Sequence, residues 1–265
     1  MKLLIDAGNT RIKFGWLETC SGRREGNVLA LTHNELGTLP AWLAQLTSRP
    51  TAALGVNVAG AGIAAALDTL IERCLSVGIR WIHSERQVMD VTNAYADAQQ
   101  LGADRWVAMV GLAQHTSKAA ILASFGTATT VDTLGPAHQG LRRFEGGLIF
   151  PGPALMCSSL AAGTANLPHA VADPADYPTH THQAIVSGIA AAQAGAVVRQ
   201  WRVGLEHFGE PPAIFCSGGG WHLVETETQR LFARAQADLG LPAAAIQWLA
   251  TPVLDGLARL APDPG

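Results

Sequence analysis

Short apolar runs and polar turns alternate from the first residues of the chain onwards. Leu3, Leu4 and Ile5 form an apolar run that is typical of a buried strand, and residues 11–17 then roughly alternate polar and apolar side chains, as a half-buried strand does. The segment between them, DAGNT, carries an acid, a glycine and two small polar residues. Because Gly8 adopts positive φ angles without steric cost, the pattern predicts a strand, a tight turn and a second strand.

Strand and helix patterns continue to alternate along the rest of the chain. The predicted strands cover 52–58, 79–83, 119–125 and 213–216, and the predicted helices cover 36–46, 63–75 and 105–114. This alternation is typical of an α/β protein. No proline-rich or serine-rich linker separates two halves, so the domain organisation has to be inferred from repetition within the sequence.

A repeat becomes visible when IDAGNTRIKF, residues 5–14, is aligned with ASFGTATTVD, residues 123–132. Both segments combine a strand end, a glycine turn with small hydroxyl or amide residues, and a second strand, and the alignment superposes Gly8 and Gly126. A third glycine turn, FCSGGG at residues 215–220, also follows an apolar run. One such turn is weak support for a binding site, but three in one α/β chain indicate several sides of a single nucleotide site.

The turn after the first predicted strand combines groups that suit an anion with an acid that suits a cation. Exposed backbone amides together with the side chains of Asn9 and Thr10 suit an anion, whereas the carboxylate of Asp6 beside them suits a cation or a proton transfer. The combination indicates a phosphate group with its magnesium ion. The alternative is an ordinary hairpin in which Asp6 caps its own turn.

Composition narrows the class of partner. The chain has 265 residues, 48% of them apolar, and a formal net charge of −3 without any run of lysine or arginine, which argues against nucleic acid or an anionic membrane as the main partner. No apolar run approaches the length of a membrane span, so we expect a cytoplasmic protein with a small-molecule partner. The cysteines are far apart without a CxxC pair, and we expect free thiols at Cys20, Cys74, Cys157 and Cys216.

Five motifs resemble, in order and spacing, those of type III pantothenate kinases, a family that includes Bvg accessory factor-like proteins. They are DAGNT at 6–10, YADAQQLGADRW at 95–106, GTATTVD at 126–132, GGLIFPG at 146–152 and SGGG at 217–220. The resemblance covers nearly the whole chain and implies duplicated actin-like (ribonuclease H-like) α/β domains with mixed sheets and flanking helices, at residues 1–117 and 118–265. It also implies a homodimer that uses ATP to phosphorylate pantothenate to 4′-phosphopantothenate, the first step towards coenzyme A.

The resemblance further implies roles for individual residues. In the nucleotide site, Asp6 holds magnesium, the phosphate motifs comprise Gly8, Asn9, Thr10, Gly126, Thr127 and Thr129, and the adenosine end lies near Gly218 and Gly219. In the pantothenate pocket stand Tyr95, Gly102, Asp104 and Arg105, with Asp104 as the catalytic base, and Thr181 contacts pantothenate from the partner subunit. The position of Asp132 is linked to a monovalent cation, potassium or ammonium.

The assignment of Asp104 also has a physical reason of its own. Phosphoryl transfer depends mostly on positioning and charge neutralisation, but an alcohol nucleophile has to lose its proton, and a carboxylate within hydrogen-bond reach accepts it. The guanidinium of Arg105 can pair with a carboxylate, and pantothenate carries one at the end opposite its attacking hydroxyl. Without the motif, an Asp-Arg pair would be an ordinary acid at a helix start beside a surface base.

One position departs from the family pattern. Many relatives have an acid just before the second glycine turn, as in D-x-G-T-A, whereas this chain has Ser124. If that acid shares in metal binding, Asp6 and Asp132 have to bind the metal without it. Weaker metal affinity or slower turnover is then expected. Some members of the family are described as accessory factors for gene regulation, so an ATP-binding regulator without kinase turnover is the second hypothesis.

Two other motifs offer rival interpretations. Residues 60–65, GAGIAA, fit the G-x-G-x-x-A fingerprint of a nicotinamide enzyme between a predicted strand and a predicted helix, with Glu85 at a suitable distance to bind a ribose, but this interpretation leaves both phosphate turns unexplained. His169, His180 and His182 could hold a metal ion, although incidental histidines in a polar loop are the ordinary explanation. A P-loop is excluded because no G-x-x-x-x-G-K-[ST] string occurs.

Overall fold

The structure is a computed structural model that describes residues 1–261. The packing of α-carbon atoms divides the chain into two compact units: unit 1 holds residues 1–115 and the segment that begins at Thr251, and unit 2 holds residues 116–250. The division into domains 1–117 and 118–265 remains a prediction. The packing differs from it by placing the C-terminal segment with the first half of the chain.

The described residues form short strands and helices of very unequal length. The strands are β1 (Lys2–Ala7), β2 (Arg11–Glu18), β3 (Arg23–Arg24), β4 (Leu29–Thr32), β5 (Ala52–Asn57), β6 (Ile79–Trp81), β7 (Gln87–Val88), β8 (Val91–Asn93), β9 (Ala120–Phe125), β10 (Ala128–Leu134), β11 (Arg142–Pro151), β12 (Ala213–Ser217) and β13 (Gln247–Trp248). The helices are α1 (Leu39–Leu43), α2 (Ala61–Leu75), α3 (Ala103–Leu112), α4 (Pro153–Gly163), α5 (Thr181–Phe208), α6 (Glu225–Asp238) and α7 (Pro252–Leu260). Within residues 1–261, no helix combines the length and the apolar content that a membrane crossing requires.

Unit 1 is built around the hairpin that the sequence predicts at the start of the chain. β1 runs antiparallel to β2 and parallel to β5, and the strand order is β3-β2-β1-β5-β6, with β4 also paired to β2. The register of the hairpin places Asp6 opposite Lys13. An acid and a base therefore point to the same side of the sheet.

The two faces of β1 carry different kinds of residue, because successive side chains of a strand point to opposite faces. Leu3, Ile5 and Ala7 pack into a core with helices α1 and α2. Asp6 consequently lies on the other face, against which Leu254 of α7 packs. The alternation thus brings a carboxylate to the side of the sheet that helix α7 covers.

Unit 2 has the same strand order around its own hairpin. β9 runs antiparallel to β10 and parallel to β12, and the order is β13-β12-β9-β10-β11. Helices α5 and α6 pack on this sheet through a core that includes Val131, Val197, Trp201 and Phe232. The shared order agrees with the repeat seen in the sequence, and the prediction of an α/β fold with duplicated mixed sheets is confirmed.

The predicted helix at 36–46 differs most from the structure. A 3₁₀ turn, His33–Thr38, covers its first three residues, and the short helix α1 follows. Gly37 and Pro40 explain the break, because glycine weakens a helix and proline, which stands at the start of α1, lacks an amide to donate. The predicted helices at 63–75 and 105–114 are confirmed as α2 and α3, within two residues at each end.

Helices α3 and α7 of unit 1 approach closely because each has a glycine, without a side chain, at their contact. A Cβ atom added at Gly256 would overlap the carbonyl oxygen of Val107, and one added at Gly111 would overlap the carbonyl oxygen of Pro252. The obstructing atoms belong to the backbone, so they have little freedom to move away. The two glycines therefore fix how α3 lies against α7.

We expect the Gly256→Ala variant to lower the free energy of unfolding by about 3 kcal/mol, the upper end of the cost of overpacking, because the added methyl group meets backbone atoms. Urea unfolding measures the change. Gly62→Ala in α2 is the matched control, since an added Cβ has nothing within 4 Å there. Equal losses of stability in the two variants would contradict this account of the α3–α7 contact.

Candidate active site

The turn between β1 and β2 is the first element of the candidate site. The amide of Gly8 donates a hydrogen bond of 3.1 Å to the carbonyl oxygen of Arg11, which closes the turn, and Asn9 and Thr10 are solvent-facing at its tip. A Cβ atom at Gly8 would lie 3.0 Å from that carbonyl oxygen, so a larger residue would strain the closure. The turn therefore presents small polar residues to the solvent and leaves little room for a side chain at Gly8, whose φ is not among the positive ones.

Asp6 lies near the end of β1 beside this turn, and its side chain is 13% exposed. Oδ2 of Asp6 lies 3.9 Å from Nζ of Lys13. Burial raises the pKa of Asp6 to about 6, because a poorly hydrated carboxylate favours its neutral form; the charge of Lys13 opposes this shift and the charge of Asp104 adds to it. Asp104 is thus close enough to Asp6 for its charge to raise the pKa of Asp6.

Asp104 is the second residue of α3 and lies in its first turn. Its Oδ1 accepts a hydrogen bond of 2.8 Å from the amide of Arg105, and the positive end of the helix dipole favours a carboxylate at this place. Burial nevertheless raises the pKa of Asp104, because desolvation outweighs the amide contacts and the charge of Arg105. The N-cap is Gly102, and a Cβ atom there would lie 2.8 Å from Oδ1 of Asp104, so the glycine leaves the carboxylate room.

Arg105 is buried and joins the start of α3 to the segment that precedes it. Its Nη1 donates a hydrogen bond of 3.0 Å to the hydroxyl oxygen of Tyr95, and its Cζ lies 5.9 Å from the centre of the Tyr95 ring. Arg86 donates a hydrogen bond of 2.6 Å to the carbonyl oxygen of Tyr95 and holds the backbone there. Unit 1 thus brings together Tyr95, Gly102, Asp104 and Arg105.

The carboxylates of Asp6 and Asp104 are the donors that suit magnesium. Proteins usually hold Mg²⁺ with one or two carboxylates, and phosphate oxygens and water complete its shell. A cation beside Asp6 would also offset the burial and the repulsion that raise its pKa. Residues 1–261 contain no group of three or more His, Cys, Asp or Glu side chains that could hold a metal ion by themselves.

The metal site suggested by the histidines of the loop before α5 finds no support. Nδ1 of His180 accepts a hydrogen bond of 3.4 Å from the amide of Gln183 and caps the helix. Nδ1 of His182 accepts a hydrogen bond of 3.4 Å from the amide of Val171. Both rings therefore organise the chain around them.

The second glycine turn joins β9 to β10. The amide of Gly126 donates a hydrogen bond of 3.1 Å to the carbonyl oxygen of Ala128, and Thr127 is exposed at the tip. The amide of Gly152, just before α4, donates a hydrogen bond of 2.9 Å to the carbonyl oxygen of Thr127. A Cβ atom at Gly152 would overlap the carbonyl oxygen of Gly126, so only glycine can support the turn from this position.

The third glycine turn follows β12 and lies beside the second. β12 is parallel to β9 with Ser217 opposite Ser124, so the two strands end at the same edge of the sheet. Gly218 has a φ of +94°, and a Cβ atom there would overlap the backbone of Phe125. Gly219 comes next and is exposed. Unit 2 thus brings together Gly126, Thr127, Gly218 and Gly219.

Two further candidate residues, both on β10, are buried. Thr129 has no exposed surface, and its hydroxyl donates a hydrogen bond of 2.7 Å to Oε1 of Gln193 on α5. Asp132 is 2% exposed and points to the face opposite to that of Thr129, because side chains alternate along the strand. The strand rises about 13 Å between Ala128 and Asp132. The structure therefore does not bring Asp132 to the tip of the second turn.

Thr181 is the first residue of α5 and is exposed. It lines an apolar cavity of about 540 Å³ in unit 2, together with Pro151, Met156, Leu160 and Ile185. The cavity places the start of α5 beside the end of β11 and helix α4. Thr181 thus belongs to a surface that differs in character from the polar glycine turns.

Sequence reasoning missed Lys13, Gly152 and Gln193, each of which contacts a predicted residue. The position of Lys13 could have been found, because a short hairpin turn fixes which residue lies opposite Asp6. Gly152 ends the motif GGLIFPG, but the motif gives it no role. Gln193 has no local signal, since its partner Thr129 lies 64 positions away in the sequence.

The chain is similar over its whole length to known kinases. A family model described as "Type III pantothenate kinase" matches residues 2–203. A protein from Bordetella petrii with that name is 52% identical over 274 residues, covering 100% of this chain and 99% of the relative. Another from Bordetella bronchiseptica, also named Type III pantothenate kinase, is 48% identical over 266 residues, covering 98% of this chain and 97% of the relative.

A solved structure supports the fold class. The protein, from Sinorhizobium meliloti and provisionally assigned as a 2-dehydro-3-deoxygalactonokinase, gives a TM-score of 0.53 at 16% identity and covers 98% of both chains. At this identity the likeness shows the fold alone, the duplicated actin-like arrangement of sugar kinases. The family match favours the kinase over a nicotinamide enzyme, and in the structure Gly60 is the N-cap of α2 while residues 61–65 form the start of that helix.

The pH dependence of stability tests the burial of Asp6. Its folded-state pKa of about 6 lies above the ordinary value, so the stability that the neutral form provides is complete below about pH 4 and is lost as the pH rises towards 6. Above that pH the ionised carboxylate destabilises the fold by up to about 3 kcal/mol. We therefore expect Asp6→Asn, without magnesium, to unfold at higher urea than the wild type at pH 8.

The same comparison near pH 4 should show little or no gain for Asp6→Asn, since the wild-type carboxyl is then already neutral. The exposed residue Asp173 offers a control, and Asp173→Asn should behave alike at both pH values. An equal effect of Asp6→Asn at the two pH values would show that the Asp6 carboxyl is not perturbed.

Proposed function

Because the chain belongs to the type III pantothenate kinase family, we propose that it transfers the γ-phosphoryl group of ATP to pantothenate. The product is 4′-phosphopantothenate, and the reaction is the first step of coenzyme A biosynthesis. The observation that carries the proposal is the full-length similarity to relatives named for this activity. The carboxylates of Asp6 and Asp104 supply the chemistry that such a reaction needs.

Asp104 acts as the general base. In the reaction, the hydroxyl oxygen of pantothenate forms a bond to the γ-phosphorus, the bond from that phosphorus to the β,γ-bridging oxygen breaks, and ADP leaves. The hydroxyl proton passes to the carboxylate of Asp104. The raised pKa of Asp104 makes it a stronger proton acceptor than an ordinary aspartate, and Gly102 keeps space free beside Oδ1.

Asp6 holds the magnesium ion that accompanies ATP, and the bound ion supplies charge neutralisation for the phosphates. Without a cation, burial and the charge of Asp104 favour the protonated form of Asp6. Magnesium binding would therefore be coupled to proton release from Asp6 near and below pH 6. Lys13 adds a positive charge on the same face of the sheet and helps to keep Asp6 ionised.

The glycine turns bind the nucleotide through backbone amides and small polar side chains. The first turn contributes Gly8, Asn9 and Thr10, and the second contributes Gly126 and Thr127, with Thr129 following it on β10. The backbone at Gly218 and Gly219 approaches the adenosine end, and the lack of a side chain at Gly218 supports such an approach.

Pantothenate is bound around the start of α3. Tyr95 and Gly102 line its pocket, and the guanidinium of Arg105 pairs with the substrate carboxylate. The hydrogen bond from Arg105 to Tyr95 supports this role, because it fixes the orientation of both side chains. Thr181 contacts pantothenate from the partner subunit of a homodimer.

A monovalent cation, potassium or ammonium, completes the set of cofactors, with Asp132 as its ligand. Asp132 is 2% exposed, and a cation beside it would offset the negative charge of its carboxylate. A cation bound by Asp132 would lie away from the second turn, because Asp132 lies further along β10.

The function is tested by ADP release from ATP and magnesium, with and without pantothenate, in potassium buffer and again in sodium buffer. We expect release that requires pantothenate and falls when sodium replaces potassium. Release that is unaffected by the change of cation would remove the monovalent ion from the proposal. ATP binding without pantothenate-dependent release would favour the ATP-binding regulator instead.

The Asp104→Asn variant tests the role of the base. We expect turnover to fall by about 10²–10⁴-fold, because the amide no longer accepts the hydroxyl proton, whereas ATP still binds. Asp97→Asn is the matched control, since Asp97 is exposed and only accepts a hydrogen bond from the amide of Gln99. Wild-type turnover in Asp104→Asn would exclude Asp104 as the base.

A further inference from the structure

Gln193 is a fully buried polar residue on a helix face that is otherwise apolar. It lies on α5 between Ile189 and Val197, which are one turn away on either side and are both buried. A buried amide without hydrogen bonds destabilises a fold. The partners of Gln193 therefore indicate what this residue contributes.

Both ends of the Gln193 amide are bonded, and the bonds fix its orientation. Nε2 donates a hydrogen bond of 2.9 Å to the carbonyl oxygen of Pro151 and lies 3.1 Å from Sδ of Met156. A backbone carbonyl only accepts hydrogen bonds, so Nε2 has to face Pro151 and Oε1 has to face Thr129. The hydroxyl of Thr129 is then the donor in their 2.7 Å hydrogen bond.

In this orientation the hydroxyl proton of Thr129 is used in the hydrogen bond to Gln193. A threonine hydroxyl has one proton, so Thr129 keeps acceptor lone pairs but has no proton left to donate to a phosphate oxygen. The complete burial of Thr129 agrees with an internal role.

The same amide holds both segments that carry the second glycine turn. Thr129 follows the turn directly on β10. Pro151 precedes Gly152, whose amide donates to the carbonyl oxygen of Thr127 at 2.9 Å. Gln193 thus joins the strand that leaves the turn to the segment that supports its tip.

We propose that Gln193 is a positioning residue for the second phosphate turn, and that Thr129 serves nucleotide binding by anchoring the turn to Gln193 rather than by donating a hydrogen bond to phosphate. The inference rests on the proposed function in one respect, that this turn binds the phosphates of ATP. It adds a residue from the middle of α5, at the level of the β9–β10 turn, to the set that determines nucleotide affinity.

The chain offers a matched control on the same two elements. Gln200 lies seven residues further along α5, and its Nε2 donates a hydrogen bond of 3.1 Å to Oγ1 of Thr133, four residues further along β10. The pair resembles Gln193 and Thr129 in chemistry and in the elements that it joins. It lies away from the glycine turn, so its loss affects packing without moving the turn.

The test compares Gln193→Met with Gln200→Met. We expect Gln193→Met to raise the KM for ATP and the Kd of a non-hydrolysable ATP analogue about tenfold, while the KM for pantothenate stays at its wild-type value. Gln200→Met should change neither nucleotide constant by more than about twofold, even where urea unfolding shows a similar loss of stability. Unchanged nucleotide affinity in Gln193→Met, or equal losses in the two variants, would overturn the proposal.

Thr129→Val breaks the same hydrogen bond from the side of the threonine, because it removes the hydroxyl with little change in volume. We expect Thr129→Val and the double variant with Gln193→Met to weaken analogue binding to the same extent, since both break one anchor. Losses that multiply in the double variant would show that Thr129 contacts the phosphate itself. Analogue binding is measured without pantothenate, so a wild type that binds nucleotide but releases no ADP contradicts the proposed function and leaves this comparison valid.

Discussion

Two carboxylates that the fold keeps poorly hydrated govern the candidate site. Burial raises the pKa of both Asp6 and Asp104, and the charge of Asp104 raises that of Asp6 further. Removal of ionisable groups from water disfavours their charged forms, so the surrounding structure has to hold them in place against that cost. The hairpin register places Lys13 opposite Asp6, and Gly102 leaves room for the carboxylate of Asp104. A buried acid pair is useful in a kinase, because it favours both a cation and a proton acceptor.

The duplication explains how one chain provides two similar glycine turns with different chemistry. Each unit places a glycine turn at the end of a central hairpin, and the strand order is the same in both. With the glycines Gly8 and Gly126 superposed, Ser124 occupies the position that corresponds to Asp6. Only the first turn therefore carries an acid at this position. The second turn is instead supported by the amide of Gly152 and by the hydrogen bonds of Gln193.

Features that depend on neighbouring residues could be predicted from the sequence. Contacts between residues far apart in the sequence could not. The hairpin with Asp6, the glycine turns, and helices α2 and α3 depend on neighbouring residues, and the pattern of apolar positions is sufficient to find them. The pairing of Thr129 with Gln193 joins positions 64 apart, and nothing near either residue indicates it. The return of α7 to α3 also depends on tertiary packing between distant glycines. The position of Asp132 away from the second turn likewise follows from its distance along β10 and not from any motif.

The most direct test of the central claim is an NMR titration of the Asp6 side-chain carboxyl, followed by its ¹³C chemical shift with and without magnesium and a non-hydrolysable ATP analogue. The structure predicts a midpoint near pH 6 in the unliganded protein, because burial raises the pKa of Asp6 to about 6. Magnesium with the nucleotide should move the midpoint to lower pH, since a cation stabilises the carboxylate. A midpoint near the ordinary aspartate value of about 3.9 in the unliganded protein would contradict the account.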